Sequence, residues 1–473
     1  MVDEVVAATA GALIHGTSGA MFEGIVTDSR AVTGGNLFIA IVGDRFDGHE
    51  FIASALDRGA AGFVVQRKEK ELVSRIPETV PVIFVDDTVR ALGDIAHCWR
   101  MRFDVPVVAV TGSSGKTTTK EMIASIVSQV KRVHKNRGNF NNLIGLPLTL
   151  LEMEAGHEVA IVEMGTNRPG EIARLTDIAK PSVGVITNVG PAHLEGLKSI
   201  DGVREEKGDL FARMEKHGIA IINSDDDEIR VLAERWHGER ITFGIKDEAL
   251  IHAHNIEKKD GQGIRFTLCV GSFEGDVTMK TLGNHNIYNA LAAAASSLAL
   301  GIEESVICEG IARFEQIPGR MKLYRLRGGA CLVDDTYNAN PASVREALRT
   351  LRDLEGVHRI TVILGDMLEL GDTSEELHED IGRFLSDSGV GTVFIRGKFS
   401  RAVAAGAQQG GLRNDRIFCI ESPEEIAAKL ASCIGEGEWI LIKGSRGMKM
   451  EEITGAIIAR FGNDTDTNGR KGV

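Results

Sequence analysis

At 473 residues the chain is too long for one ordinary domain and suits about two to four, each with its own core. Hydrophobic residues at 43% and charged residues at 26% give a globular balance, and 54 glycines against 5% aromatics favour tight strand-to-helix turns over a surface built to stack bases. A formal net charge of −13 excludes wholesale neutralisation of nucleic-acid phosphates, but a few local cations could still hold a small anionic substrate.

In chain order, residues 35–42 read as a buried strand, 51–59 as a helix closed by Gly59, and 61–65 and 80–85 as further strands. This alternation predicts a small α/β domain over residues 1–102. A second region, 103–316, opens with the apolar run 105–110, typical of a strand buried on both faces. The helix after it carries Met122, Ile126 and Val130 on one stripe, with Ile123 and Val127 beside them. Buried strands at 159–162, 183–186 and 219–222, with helical patterns between several of them, predict a mostly parallel sheet covered by helices. The Pro318-Gly319 break marks a third region, 317–462, with strands expected at 331–333, 360–364, 392–395, 417–420 and 439–442. Helical stretches separate these strands, which predicts a Rossmann-like domain without a G-x-G-x-x-G fingerprint. The polar segment 463–473 is expected to be disordered.

Cys98, Cys269, Cys308, Cys331, Cys419 and Cys433 are scattered, with no C-x-x-C pair. Most sit in apolar runs such as 416–420, where a buried thiol is expected, and they argue for a reducing compartment and against a zinc site. The acidic N-terminus lacks the positive region of a secretory signal, and no apolar run approaches the roughly 20 residues that cross a bilayer. A cytoplasmic protein without membrane insertion is expected.

The strongest local signal is Thr111-Gly-Ser-Ser-Gly-Lys-Thr-Thr118, between the strand ending at Val110 and a helix. A turn of small residues lets backbone N–H groups wrap an anion, and the helix N-terminus adds partial positive charge. Lys116 can reach β- and γ-phosphates and the Thr117 hydroxyl can ligate Mg²⁺. The general phosphate-loop pattern wants a glycine where Val110 stands, so the shorter G-x-x-G-K-T form is present. Glu163 ends an apolar strand at the sheet edge where open α/β folds bind ligands, and fits either a metal ligand or a capping or ion-paired acid. His193, after another buried strand, reads equally as structural or functional. The loop Asn139-Phe-Asn-Asn142 reads bare as a turn, and Lys207 as a solvated helix lysine.

Together these pieces resemble one family. Val108-Ala-Val-Thr-Gly-Ser-Ser-Gly-Lys-Thr-Thr118, with Glu163, Asn188-Val-Gly-Pro-Ala-His-Leu-Glu195 and Lys207, looks like the central domain of the Mur ligases of peptidoglycan synthesis. Gly283-Asn-His-Asn-Ile-Tyr-Asn-Ala290, Pro318-Gly-Arg320 and Lys443-Gly-Ser-Arg446 extend the likeness to all three domains. Asp334-Asp-Thr-Tyr-Asn-Ala-Asn-Pro341, Gly365-Asp-Met-Leu-Glu-Leu-Gly371, Thr27-Asp-Ser-Arg30 and Gly43-Asp-Arg-Phe-Asp-Gly-His49 resemble the branch that adds D-alanyl-D-alanine. The chain has no Asp-Asn-Pro-Arg sequence, which single-amino-acid-adding relatives often carry.

The resemblance implies the roles that follow. Thr111, Gly112, Ser113, Ser114, Gly115, Lys116, Thr117 and Thr118 would hold the ATP phosphates, with Asn286, Asn289 and Arg320 near the nucleotide and Asp335 at its ribose. Thr117 and Glu163 would bind one Mg²⁺, and His193 with Lys207, as its carbamate, a second; Lys116, His193, Lys207 and Arg320 would carry the chemistry. Ser29, Arg30, Asp47, Gly48 and His49, with Asn139 and Asn142, would serve the UDP-sugar substrate. Tyr337, Asn338, Asn340, Lys443 and Arg446 would line the incoming dipeptide or the closing domain interface. The implied reaction joins UDP-N-acetylmuramoyl-tripeptide to D-alanyl-D-alanine through an acyl phosphate, catalysed by a monomer. The rivals are a sister ligase adding one amino acid, a phosphate-loop ATPase or nucleotide switch, and a kinase.

Overall fold

A computed structural model describes residues 1–43, 46–68, 73–246, 249–259, 263–354 and 359–462, so the expectation for 463–473 lies outside the described residues. Three sheets organise the chain. The first runs Ala12–His15, Val82–Val85, Gly62–Gln66, Asn36–Ile39, Gly24–Val26, and is parallel except for Ala12–His15. Apart from the half-buried Gln66, its central strands are buried at every position, as a sheet covered on both faces requires.

The second sheet is the largest, in the order Phe273–Met279, Gly263–Val270, Ile251–Lys259, Glu239–Gly244, Ile219–Asn223, Val183–Ile186, Val107–Thr111, Val159–Glu163, Val133–Lys135. From Ile251–Lys259 to Val133–Lys135 every pairing is parallel; the two at the other end are antiparallel. The helices Lys116–Val127 and His285–Ala299 bury one face, around Ile123, Val127, Ile287 and Ala294, and Glu171–Ala179 and Ile200–Arg213 bury the other, around Leu175 and Leu210.

The third sheet runs Lys322–Arg325, Cys331–Asp335, Glu438–Lys443, Arg359–Gly365, Val390–Arg396, Ile417–Cys419, with only Lys322–Arg325 antiparallel. Two expectations are corrected here. The helix after the phosphate loop ends at Val127, so Val130 is 54% exposed instead of continuing the stripe. Cys419, at the last position of an edge strand, is exposed, as is Cys98 on a helix; Cys269 and Cys331 are buried as expected.

The first sheet is fastened firmly to the second through the helix Thr88–Arg100. Arg100, 4% exposed, donates to the carbonyls of Ala179 (3.1 Å), Phe103 (2.7 Å) and Val105 (3.0 Å). Trp99 Nε1 donates to Met153 O at 3.2 Å, and Ile144, Leu148 and Leu151 of the central region pack onto the core around Leu37 and Val64. A buried guanidinium meeting carbonyls in this way is held by groups that would otherwise be orphaned.

Candidate functional site

The strand Val107–Thr111 leads into the phosphate loop, and the helix Lys116–Val127 leaves it. Two turns demand glycine. Gly115 has φ +78°, and a Cβ there would stand 2.3 Å from Asn289 Oδ1; Gly112 has φ +149°, and a Cβ would meet Thr187 Oγ1 at 1.9 Å. The neighbouring strand's exit braces the loop. The N–H of Ser113 donates to Asn188 O (3.0 Å), the N–H of Ser114 to Asn188 Oδ1 (3.0 Å), and the Ser113 hydroxyl to Gly190 O (2.8 Å). Thr111 Oγ1 donates to Met164 O at 2.9 Å, tying the loop's base to the strand that ends in Glu163. Thr118 lies half-buried on the first helical turn.

Lys116 Nζ folds back to donate to Gly112 O at 2.8 Å. Burial lowers the pKa of its ammonium, with Glu163 opposing the shift and Arg320 adding to it. Arg320, from the segment entering the third sheet, donates to Thr117 Oγ1 at 3.1 Å and lies over the Tyr337 ring at 3.7 Å. Asn289 links Thr119 Oγ1 (3.3 Å) to Asn286 Oδ1 (3.0 Å), and Asn286 donates to Leu282 O at 2.7 Å, so both buried asparagines stand against the loop.

Glu163 is 2% exposed; its Oε1 accepts from Asn141 Nδ2 at 2.8 Å, and its buried Oε2 has no partner among the described residues. Asn136 grips its backbone from the side, accepting from Glu163 N–H (3.0 Å) and donating to Glu163 O (3.1 Å). Lys120, wholly buried, donates to Asn136 O at 2.8 Å. Sequence reasoning missed Lys120, Asn136 and Asn141; the one legible signal was the spacing of Lys116 and Lys120, one helical turn apart. Asn142 instead closes the turn leading into the helix Gly145–Leu151, its Oδ1 accepting from Ile144 N–H (3.1 Å) and Gly145 N–H (2.8 Å), and Asn139 is exposed. Asn136→Ala is expected to cost about 1–3 kcal/mol, because it orphans buried groups of Glu163. It should also lower activity about tenfold or more. Denaturant unfolding and turnover check both, and an unchanged unfolding midpoint would refute the account.

Lys207, read bare as a solvated lysine, is 1% exposed on the helix Ile200–Arg213. Burial first and Lys116 second bring its ammonium pKa down to about 7, with Glu206 opposing. Glu206 is itself engaged by Thr166 Oγ1 (2.9 Å), Gly170 N–H (2.6 Å) and Ile172 N–H (2.8 Å). His193 has φ +53° and opens the short helix Leu194–Leu197; its buried Nδ1 lies 3.5 Å from Glu369 Oε2 of the third sheet's region.

The third region brings together Asp335, Lys443 and Asn338: Lys443 Nζ pairs with Asp335 and donates to Asn338 O at 3.0 Å. Asn340 caps the helix Pro341–Arg352 through Ser343 N–H (2.8 Å), and Arg446 stands 5.9 Å from the Tyr337 ring centre while pairing with Glu451. The N-terminal candidates form a separate group. Arg30, its side chain 85% exposed, forks onto Asp28 and holds that carboxyl near about 2, beside the buried Ser29. His49 is 2% exposed with both nitrogens used internally, Nδ1 to Asp47 Oδ1 at 2.6 Å and Nε2 accepting from Gln66 N–H at 3.0 Å. Asp47, Gly48 and His49 thus build the turn Gly48–Phe51, and His49 offers no free nitrogen to a ligand.

Lys116, Arg320, the loop amides and a helix N-terminus converge on one point, which suits a polyphosphate. The buried Glu163 Oε2, unpartnered among the described residues, and the Thr117 hydroxyl offer oxygens that fit Mg²⁺, which takes carboxylate, hydroxyl and phosphate oxygens. This is the site of a nucleotide-dependent enzyme in which a phosphate loop faces an arginine from the segment that enters the third sheet.

Comparison makes the class specific. The Mur ligase middle domain pattern matches residues 110–297, the Mur ligase glutamate ligase domain 319–446, and the Mur ligase family catalytic domain 21–100. The chain belongs to the Mur ligase family. It is 35% identical over 438 residues to the UDP-N-acetylmuramoyl-tripeptide--D-alanyl-D-alanine ligase of Bacillus subtilis, covering 93% of both chains. It is similar to the crystal structure of MurF from Acinetobacter baumannii, with TM-score 0.85 and 32% identity over 97% of this chain and 98% of that one. It also resembles MurF ligase from Thermotoga maritima in complex with ADP, with TM-score 0.80 and 29% identity over 92% and 96%.

Proposed function

We propose that this chain ligates D-alanyl-D-alanine to UDP-N-acetylmuramoyl-tripeptide, converting ATP to ADP and phosphate and forming the pentapeptide precursor of peptidoglycan. The observation that carries the reading is full-length similarity to ligases of that name together with a phosphate loop whose surroundings suit the chemistry. A carboxylate is a poor acyl donor because its leaving group would be an oxide. Phosphorylating it gives an acyl phosphate, whose leaving group is phosphate, and the dipeptide amine can then displace it.

Phosphoryl transfer asks the protein mainly for in-line positioning and charge neutralisation. Lys116 and the loop N–H groups hold the phosphates, Arg320 swings from the Thr117 hydroxyl to their oxygens, and Asn286, Asn289 and Asp335 face the nucleoside. Thr117 and Glu163 would hold one Mg²⁺, and His193 with carbamylated Lys207 a second; bound, such ions screen the repulsion between the two anionic substrates. The N-terminal domain, 1–102, takes the UDP-sugar through the surface around Ser29 and Arg30. The central domain, 103–316, holds ATP, and the third, 317–462, brings the dipeptide, with Tyr337, Asn338, Asn340, Lys443 and Arg446 along its approach. The enzyme works in the cytoplasm as a monomer; no described helix is long and apolar enough to cross a membrane.

Phosphate release with ATP and Mg²⁺ is expected only when both the UDP-muramoyl-tripeptide and D-alanyl-D-alanine are present, with pentapeptide detected by mass spectrometry. Release indifferent to both would mark an ATPase. Release with a single amino acid in place of the dipeptide would mark a sister ligase.

A further inference from the structure

The antiparallel end of the central sheet has one buried face, carrying Ala253, Phe266, Leu268 and Val277. The alternate residues His252, His254, Thr267, Cys269, Glu274 and Asp276 share the other face. Register brings potential metal ligands side by side there: Cys269 stands opposite His252 on one neighbour and opposite Glu274 on the other. A ring nitrogen of His254, the Cys269 sulfur and a Glu274 carboxylate oxygen all lie within 4.8 Å of one another. No hydrogen bond or ion pair engages these three side chains among the described residues. Cys269 is only 2% exposed while His254 and Glu274 are exposed, so a thiol lies under an imidazole and a carboxylate that solvent reaches.

We propose that His254, Cys269 and Glu274 form a binding site for a divalent transition metal of the zinc class, distinct from the nucleotide site. Three strands stand between Ile251–Lys259 and the strand that feeds the phosphate loop. A thiolate and an imidazole select a borderline ion over Mg²⁺, which wants an all-oxygen shell. With bonds of about 2.0–2.3 Å, ligand atoms around one ion sit roughly 3.5 Å apart. Small side-chain rotations close the difference. Burial first and Glu274 second push the Cys269 thiol pKa up, so the free thiol is protonated. Binding exchanges its S–H bond for a sulfur–metal bond and releases the proton to solvent. His252, whose Nδ1 faces Ala249 O at 3.1 Å, has no hydrogen-bond partner on Nε2 among the described residues, and with its ring centre 6.2 Å from that of His254 it offers a further nitrogen for a fourth position. The scattered cysteines form no zinc pattern along the chain; the site exists only across strands. An ion there staples three strands at the sheet's edge.

The test is Co²⁺ titration of the full chain in Mg²⁺-free buffer, followed by near-ultraviolet absorption. A thiolate-to-cobalt charge-transfer band is expected to saturate at one equivalent and to bleach when Zn²⁺ displaces the cobalt. No cysteine lies among the nucleotide-site residues, so a metal bound there cannot give that band. Cys269→Ser should abolish it, and His254→Ala and Glu274→Gln, at exposed positions, should weaken binding at least about tenfold with ligase activity unchanged. Zn²⁺ should raise the melting temperature of the parent chain and not of His254→Ala. A spectrum without the band, or one that persists unchanged in Cys269→Ser or His254→Ala, would overturn the assignment.

Discussion

Lys116→Ala is expected to lower kcat/KM about a thousandfold while leaving the fold intact. Removing one neutral hydrogen-bond donor from a developing oxyanion costs roughly a hundred- to a thousandfold, and Lys116 contributes a full charge, so the upper end applies. The fold should survive because the lysine's hydrogen bond to Gly112 O is local, and because burial already lowers its pKa, so the apoprotein gains little from the charge. Lys116→Arg should recover only part of the loss: a planar fork cannot take the place of a compact ammonium between Gly112 and the phosphates. Steady-state phosphate release, with circular dichroism as the fold control, measures both. A fall of less than about tenfold in Lys116→Ala would remove this residue from the chemistry.

Lys207→Ala comes next, with an expected loss of about a hundredfold or more. The side chain is 1% exposed, and its ammonium pKa near about 7 leaves a substantial neutral fraction at working pH. A neutral amine can take up carbon dioxide; an ammonium cannot. The resulting carbamate is an anion, which reverses the sign of the Lys207–Lys116 interaction from repulsion to attraction. Two readouts separate this from simple damage to the fold. Protein equilibrated with ¹³C-bicarbonate should show a carbamate resonance that Lys207→Ala lacks, and short carboxylic acids should restore part of the mutant's activity. Full activity in the mutant, with no effect of added acids, would dismiss the residue.

Much of the fold was legible because buried parallel strands announce themselves as continuous apolar runs. Residues 159–162, 183–186 and 219–222 were each found within a residue of their strands Val159–Glu163, Val183–Ile186 and Ile219–Asn223. The antiparallel extension was missed. Its strands alternate, with His252, His254, Arg265 and Glu274 on the open face, and a short alternating pattern rich in charge resembles loop. Edge strands such as Val133–Lys135 and Lys322–Arg325 were lost because three or four half-buried residues leave no apolar run. At the site, the phosphate loop could be read from spacing alone. The support beneath Glu163 could not, since Asn136 and Lys120 act through contacts between segments far apart in the chain. Lys207 was misread for the same reason: its own helix turn is full of charge, Glu205-Glu-Lys207, and only packing against other elements buries it.

The docking of the first sheet has a consequence for substrate choice. With Arg100 bonded to Ala179 O and Trp99 to Met153 O, rocking the N-terminal region against the central one would break both bonds. With the UDP-sugar held at the first domain as proposed above, its distance to the phosphate loop would be set in advance, as by the jaws of a caliper. On that proposal a peptide shorter by one residue would leave its terminal carboxylate short of the loop, and a longer one would overshoot. Selection for a tripeptide would then need no pocket that reads each side chain in turn, only a fixed gap of the right length.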